Sequence, residues 1–216
     1  MKLFRDRMEA GELLATNLLS YQKDPEAIVL ALPRGGVPIG FQLAKFLQIP
    51  LDVFLVRKLG VPGQEELALG AIATGGTTVY NNEIVRALGI TTAEINLIIA
   101  KEMQVLQQRE KLYRNKRPPL ELKNKTVILT DDGIATGATM LVAIRALQDL
   151  GCKKIIVAVP VAPADTCQEL QAEVDEIVCL EMPYPFYAVG NWYQSFPQTS
   201  DDEVKELLAQ AENFKK

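Results

Sequence analysis

Two adjacent aspartates separate an apolar segment from a run of small residues. The apolar segment covers 127–130, the carboxylates are Asp131 and Asp132, and the small residues continue to Thr139. A strand of this composition would present both carboxylates at its carboxyl end. The following loop would gather backbone N–H groups beside a helix N-terminus, where an anion is favoured. Carboxylates at such a position bind sugar hydroxyls or a magnesium ion. These residue types therefore indicate a phosphorylated ribose as the ligand.

A second segment has the composition of an anion-binding turn. A buried-strand pattern over 27–32 precedes Arg34, Gly35 and Gly36, and Pro38 then opens a helix, where its missing N–H costs nothing. Glycine lets bare backbone approach an anion while the arginine fork contacts the anion's oxygens. A strand–glycine–helix turn alone is also a common structural junction. Because this turn follows another predicted strand, we expect it to form the second half of the site that contains the two aspartates.

Both segments resemble the motifs of the type I phosphoribosyltransferases, which bind phosphoribosyl pyrophosphate (PRPP). The aspartate segment matches the pattern of apolar residues, two acids, small residues and Thr-Gly-x-Thr, with two departures. Thr130 interrupts the apolar run, and Gly133 occupies a position where a larger aliphatic residue is usual. The arginine segment resembles the pyrophosphate loop of the family, which often contains a non-proline cis peptide. The resemblance covers about 27–180 and points to a bacterial branch outside the named salvage enzymes.

The resemblance implies that a nitrogen nucleophile displaces pyrophosphate from the anomeric carbon of PRPP. Asp131 and Asp132 would hold the ribose hydroxyls, favour the positive charge that develops on the sugar, and contribute ligands to a magnesium ion. Arg34 would take the pyrophosphate and complete the catalytic set, with the ion bound mainly through the substrate. The other residues expected to bind substrate in these two segments are Gly35, Gly36, Ala135, Thr136, Gly137, Ala138 and Thr139.

A basic pair, Arg57 and Lys58, ends a second strand predicted over 51–57. We expect Lys58 to add positive charge to the pyrophosphate site, and the alternative is an ordinary exposed strand end. The segment 59–76 that follows starts as a polar loop, is rich in glycine and proline, and is long for a passive connection. A mobile lid occupies this position in the resembled family, and the glycine pair 75–76 predicts a hairpin within it.

Aromatic residues concentrate near the C-terminus. The segment 182–193 holds Tyr184, Phe186, Tyr187 and Trp192, the only tryptophan in the chain. A hood over the active site supplies such residues against the acceptor base in the resembled family, so we expect Trp192 to bind substrate. A small aromatic core that fixes the loop to the domain is the alternative.

Two positions bear on the acceptor. Enzymes of the hypoxanthine-guanine type carry an acid at the position of Ala135 and a lysine after the next strand, and this chain has neither. The acceptor is therefore expected to be a small heterocycle, a nucleobase or a related ring, contacted by the hood or by backbone groups. These departures also keep open a second class of function, a regulatory module that senses PRPP or a nucleotide without turnover.

The order of elements predicts an α/β fold. Strands and helices alternate, so we expect a doubly wound, mostly parallel sheet with helices on both faces, a lid hairpin and a small C-terminal hood. One domain would span 1–216, with a core over about 27–180, a lid over about 59–80, and a hood over about 181–216 joined by an N-terminal helix over 4–21. Ligands in such folds bind beyond the carboxyl ends of the strands, where both segments described above end.

Composition narrows the function classes. The absence of histidine removes Ser-His-Asp and Cys-His catalysis, and neither a Walker nor a dinucleotide glycine pattern occurs. A net charge of −4 argues against nucleic acid as the main partner, and a basic cluster over 109–117 is interpreted as a solvated helix end. No apolar run is long enough to cross a membrane. Three cysteines without Cys-x-x-Cys spacing suit a reducing, cytoplasmic location. The expected partners are PRPP, pyrophosphate and a heterocyclic acceptor, with a homodimer left open.

Overall fold

The computed structural model describes residues 3–61, 63–114 and 117–214. Its strands are β1 (Ala27–Ala31), β2 (Leu51–Val53), β3 (Val56–Val61), β4 (Gln64–Ala73), β5 (Thr78–Tyr80), β6 (Thr126–Thr130), β7 (Lys154–Val161) and β8 (Glu176–Glu181). Its α-helices are α1 (Arg7–Ala15), α2 (Gly36–Leu47), α3 (Asn82–Ala87), α4 (Thr92–Arg114), α5 (Ala138–Asp149), α6 (Ala164–Gln171) and α7 (Asp201–Ala211). Short 3-10 helices cover Leu19–Tyr21, Thr74–Gly76, Val189–Trp192 and Glu212–Phe214.

The central sheet has five parallel strands in the order β2-β1-β6-β7-β8, which confirms the predicted α/β class. Alternate residues of a strand point to opposite faces. Val29 of β1 and Ile128 of β6 pack with α1, α2 and α7, whereas Leu30 and Leu129 pack with α5 and α6. The register pairs Ala31 with Thr130, so the loops that follow β1 and β6 leave the sheet side by side.

A second sheet is antiparallel, in the order β3-β4-β5. The prediction of one strand over 51–57 was wrong, because the chain leaves the parallel sheet after β2 and enters the antiparallel sheet at β3. The prediction of a loop at the start of 59–76 was also wrong. Leu59 and Val61 are buried while Lys58 is exposed, so this polar stretch forms a strand with one covered face. Register shifts on either side of Gly60 accommodate its irregular sequence. The expected hairpin around the glycine pair is present.

The two ends of the chain meet beside the central sheet. The N-terminal helix is shorter than predicted: Asp6 caps α1 by accepting a hydrogen bond from the backbone N–H of Glu9 at 2.8 Å. The residues before it pair with the C-terminal hood instead, where the N–H of Phe4 donates to the carbonyl of Trp192 at 2.9 Å. Ser200 caps α7. Among the residues that the structure describes, no helix is long and apolar enough to span a membrane.

Candidate active site

The two predicted half-sites are in direct contact. The backbone N–H of Leu32 donates to the carbonyl of Thr130 at 2.9 Å, which ties the end of β1 to the end of β6. A Cβ atom on Gly35 would lie 2.1 Å from Oδ2 of Asp132, and one on Gly36 would lie 2.9 Å from Cα of Asp131. Only glycine permits this approach of the two loops. The peptide bond between Pro33 and Arg34 is cis, as the family resemblance led us to expect.

The two aspartates share a crowded, low-polarity position. Oδ1 of Asp131 accepts a hydrogen bond from the backbone N–H of Asp132 at 2.8 Å. Burial, reinforced by the neighbouring charge of Asp132, raises the pKa of Asp131 well above its ordinary value. Burial also raises the pKa of Asp132, against the opposing effect of Arg7. A ligand that hydrogen-bonds to these carboxylates, or a cation, would therefore relieve an electrostatic cost already present in the site.

Arg7 belongs to the site and was not predicted. Its Nε and Nη2 atoms each lie 2.8 Å from Oδ2 of Asp132. Arg7 as a whole is only 9% exposed. A signal for it exists in the sequence. Arg7 falls on the same face of α1 as the buried residues Ala10, Gly11 and Leu14, at spacings of three, four and seven. A charged residue on the apolar face of a helix needs a buried partner, and that partner is Asp132.

The small residues after the aspartates surround a cavity of 220 Å³. The backbone of this loop is fixed at both sides: the N–H of Ile134 donates to the carbonyl of Val161 at 2.9 Å, and the Thr166 hydroxyl donates to the carbonyl of Ala135 at 3.0 Å. The N-terminus of α5 opens onto the cavity. The lining residues are Asp131, Gly133, Ile134, Ala135, Thr136, Gly137, Ala138, Thr139, Met140 and Val189.

Two glycines of this loop have identifiable roles. Gly137 has φ of +74°, a conformation that favours glycine, and it immediately precedes α5. A Cβ on Gly133 would lie 2.6 Å from Cγ1 of Val189, which belongs to the hood. The departure from the family pattern at Gly133 therefore gives Val189 room to close one side of the cavity.

Of the predicted cations, Arg34 lies in the turn between β1 and α2 as expected, whereas Arg57 and Lys58 do not lie where they were predicted. Nη1 of Arg34 lies 3.4 Å from Oδ1 of Asp201 in the first turn of α7. Arg57 and Lys58 are in β3 rather than at the end of β2, which corrects their predicted position. The Nη2 atom of Arg57 donates to Oε2 of Glu102 in α4 at 2.6 Å, and Lys58 is exposed.

The aromatic segment divides into a packed part and an exposed part. Trp192 stacks on Phe186 with ring centroids 6.3 Å apart, and Tyr193 packs between Phe4 and Phe196. The indole Nε1 of Trp192 is buried and finds no hydrogen-bond partner among the described residues. In contrast, the exposed rings are those of Tyr184 and Tyr187, at 94% and 80%. Both predicted roles, base-stacking hood and small core, therefore have residues available to them.

The comparison with known proteins now identifies the family. A model of the phosphoribosyl transferase domain matches residues 60–190. The chain belongs to this family. The phosphoribosyl transferase fold is shared with TT1426 from Thermus thermophilus, whose crystal structure is 39% identical in sequence, covers 97% of this chain and 99% of its own, and superposes with a TM-score of 0.86.

A longer relative is 44% identical over 211 residues. It is a protein of Mycobacterium tuberculosis (strain H37Rv) that is provisionally named a phosphoribosyl transferase. The alignment covers 98% of this chain and 47% of that protein, so the chain spans about half the length of this relative.

The phosphoribosyl transferase match includes the aspartate loop and only the first part of the hood, 181–190, so Trp192 and Tyr193 lie beyond it. It begins after the arginine loop, so Arg34 and Arg7 lie outside the matched residues. Their membership of the site therefore rests on the contacts described above: Gly35 and Gly36 against the aspartates, and the guanidinium of Arg7 on Asp132.

Proposed function

We propose that the protein transfers the 5-phosphoribosyl group of PRPP to a nitrogen acceptor and releases pyrophosphate. The contact between the arginine loop and the aspartate pair carries this proposal. Three groups follow one another along the edge of the parallel sheet. They are the arginine loop, the carboxylates of Asp131 and Asp132, and the loop of small residues before α5. PRPP has the same order of groups: pyrophosphate on C1, hydroxyls on C2 and C3, and phosphate on C5.

In this proposal each group of PRPP has a matched partner. The carboxylates of Asp131 and Asp132 accept hydrogen bonds from the ribose hydroxyls and stabilise the positive charge that develops on the sugar as the C1–O bond breaks. The 5′-phosphate occupies the 220 Å³ cavity, where the backbone of residues 135–139 and the positive end of α5 face it. Arg34 and the bare backbone of Gly35 and Gly36 receive the leaving pyrophosphate.

Magnesium is the proposed cofactor. No cluster of three or more histidine, cysteine, aspartate or glutamate side chains suited to a metal occurs within 3–61, 63–114 and 117–214. Two adjacent carboxylates next to a pyrophosphate loop nevertheless fit Mg²⁺, which binds few protein ligands and several oxygens of water and substrate phosphate. Asp131 and Asp132 would supply the protein ligands. When bound, the ion neutralises charge on the departing pyrophosphate.

The proposed acceptor is a nucleobase or a related nitrogen heterocycle that binds under the hood. The buried indole N–H of Trp192 is a hydrogen-bond donor without a partner among the described residues, and burial of such a donor is costly unless a ligand supplies the acceptor. A polar heterocycle would do so. Ala135, whose position holds an acid in the hypoxanthine-guanine type, argues against a 6-oxopurine.

Release of pyrophosphate tests the proposed function. Purified protein with PRPP and magnesium would be supplied with a panel of purines, pyrimidines and amines, and Trp192 fluorescence would be followed in the same samples. We expect release with at least one heterocycle, and a change in Trp192 emission with that same heterocycle.

Ala135 favours a second function, because the position lacks an acid that could act on a base. In that case the domain binds PRPP or a nucleotide and regulates a partner. Tight PRPP binding without pyrophosphate release for any acceptor would support this regulatory function and contradict the transferase. Absence of PRPP binding would contradict the transferase, and absence of binding to both PRPP and nucleotides would contradict both functions.

A further inference from the structure

Asp132 is held from two directions by residues outside its own loop. Arg7 of α1 contacts its carboxylate, as described above. The hydroxyl of Tyr193, in the hood, donates to the backbone carbonyl of Asp132 at 2.5 Å. The side chain and the backbone of this one aspartate are therefore each tied to a different end of the chain.

The guanidinium of Arg7 is itself fixed. Nη1 donates to the carbonyl of Pro197 at 2.6 Å, and the carbon Cζ lies 3.8 Å from the centroid of the Phe196 ring. Phe196 in turn packs on Tyr193 with centroids 4.9 Å apart. Nε and Nη1 thus have hydrogen-bond acceptors, Nη2 is in ion-pair contact with Asp132, and one planar face of the guanidinium packs on an aromatic ring, so the group has little freedom to turn away from Asp132.

The backbone of the two chain ends supports this arrangement. The N–H of Gln194 donates to the carbonyl of Phe4 at 2.8 Å, and the N–H of Ser195 donates to the carbonyl of Arg5 at 2.9 Å. These bonds fix the start of α1 against the hood. They set the distance between Arg7, Tyr193 and the aspartate that both contact.

Arg7 also offsets the negative charge of the two neighbouring aspartates. Two neighbouring carboxylates with little water repel each other, and removing a partner from a buried ion pair leaves an uncompensated charge. Nε and Nη2 of Arg7 both contact Oδ2 of Asp132, and the contacts described for Arg7 do not use the other oxygen, Oδ1. Asp131 has a different partner, the N–H of Asp132. The two acids are therefore not equivalent.

We propose that Arg7 is a positioning residue of the ribose site, which orients Asp132 so that Oδ1 meets a ribose hydroxyl, with Tyr193 as its second support. The N-terminal segment and the hood then form one clamp on this aspartate. The inference rests on the proposed function, because it assigns Asp132 to the ribose of PRPP.

Selective loss of ribose binding tests the clamp. Calorimetry would compare PRPP with magnesium, ribose 5-phosphate, and inorganic pyrophosphate without magnesium, in wild type, Arg7→Gln, Arg7→Lys and Arg5→Gln. Loss of a hydrogen-bonded charge partner is expected to weaken both ribose ligands about tenfold or more in Arg7→Gln. Pyrophosphate, which is assigned to the arginine loop, should change by less than about twofold, since it makes no use of the Arg7 contacts. Arg7→Lys, which keeps the charge, should recover part of the loss.

Arg5→Gln is the matched control. It removes the same charge two positions away, from an arginine whose side chain is 63% exposed and pairs with Asp6. All three ligands should bind it as they bind wild type.

Failure of the clamp and failure of the proposed function give different results. Unchanged affinity of Arg7→Gln for ribose 5-phosphate would overturn it, and so would an equal loss for all three ligands with a lower melting temperature, since that pattern indicates a purely structural role. If Arg7→Gln does not fold, Tyr193→Phe replaces it, because this change deletes only the hydroxyl on Asp132. It should weaken the ribose ligands selectively, and unchanged binding would overturn the clamp. Wild-type protein that binds neither ribose ligand would instead contradict the proposed function.

Discussion

The parallel and antiparallel sheets differ in how their strands are covered. All five residues of β6 are buried, because helices lie on both faces of the parallel sheet. In the antiparallel sheet, β3 alternates between core and solvent: Leu59 and Val61 are buried, and Lys58 is exposed. Gly63, directly before β4, is exposed, and a Cβ on it would meet no atom within 4 Å.

The loops that follow β1 and β6 form a fixed part of the site, which we call the cradle, and the β3–β4 hairpin is its proposed cover. The loops at the edge of the parallel sheet are tied to neighbouring strand ends, as in the bonds from Leu32 to Thr130 and from Ile134 to Val161. Groups that must be preorganised for catalysis are best placed on such a frame. The β3–β4 hairpin is anchored in the core by Leu59 and Val61, and Gly63 beyond them is exposed. Such an element suits the exclusion of water from a reacting sugar.

The largest effect is expected in the cradle. Asp131→Asn combined with Asp132→Asn should weaken PRPP binding at least about 100-fold, because hydrogen bonds to charged groups are worth about 1.5–3 kcal/mol each and both carboxylates lose their charge. Calorimetry with PRPP and magnesium measures this loss.

Asp149→Asn is a suitable control for that experiment. It is exposed at the last residue of α5, the end of the helix opposite the phosphate cavity, and should bind PRPP as wild type does. A double aspartate variant that binds PRPP undiminished would remove the ribose assignment of both residues.

A smaller effect is expected in the cover. If the β3–β4 hairpin closes over PRPP, a protease specific for glutamate should cut at Glu65 or Glu66 several-fold more slowly with saturating PRPP and magnesium, because closure opposes the local opening that cleavage requires. Timed digestion followed by mass spectrometry gives the rates.

The double aspartate variant also serves as the control for digestion, since it should show no protection at the same ligand concentration. Equal cleavage rates of wild type with and without ligand would contradict closure of the hairpin. The binding site would then consist of the cradle alone.

The same contrast explains what could be predicted from the sequence. The strand before Asp131 covers Thr126–Thr130, which includes the whole apolar segment 127–130 from which it was predicted, because a continuous apolar run is typical of a strand covered on both faces. The acid pair and its loop followed from residue types that have few other uses. The break between β2 and β3 was missed, because the residues 51–57 have the pattern of one apolar strand. In the structure, the hydrogen bond from the N–H of Phe54 to the carbonyl of Ala31 marks the point at which the chain leaves the parallel sheet.

Long-range ion pairs were the other omission. The basic cluster over 109–117 was interpreted as a solvated helix end, yet Arg114 is buried, and its Nε atom donates to Oδ1 of Asp52 in β2 at 3.1 Å. The partner of Arg7, Asp132, is 125 positions away in the chain. Local patterns can show that a buried charge needs a partner, but the partner's identity depends on the tertiary fold.

Displacement of fragments by PRPP tests most directly whether the arginine loop and the aspartate loop form one site. PRPP with magnesium would be titrated by calorimetry into free protein, and into protein saturated with ribose 5-phosphate or with pyrophosphate. One contiguous site predicts a single PRPP per chain, tighter than either fragment, and a lower apparent PRPP affinity in the presence of each fragment. Unchanged PRPP affinity in the presence of either fragment at saturation would contradict a single site.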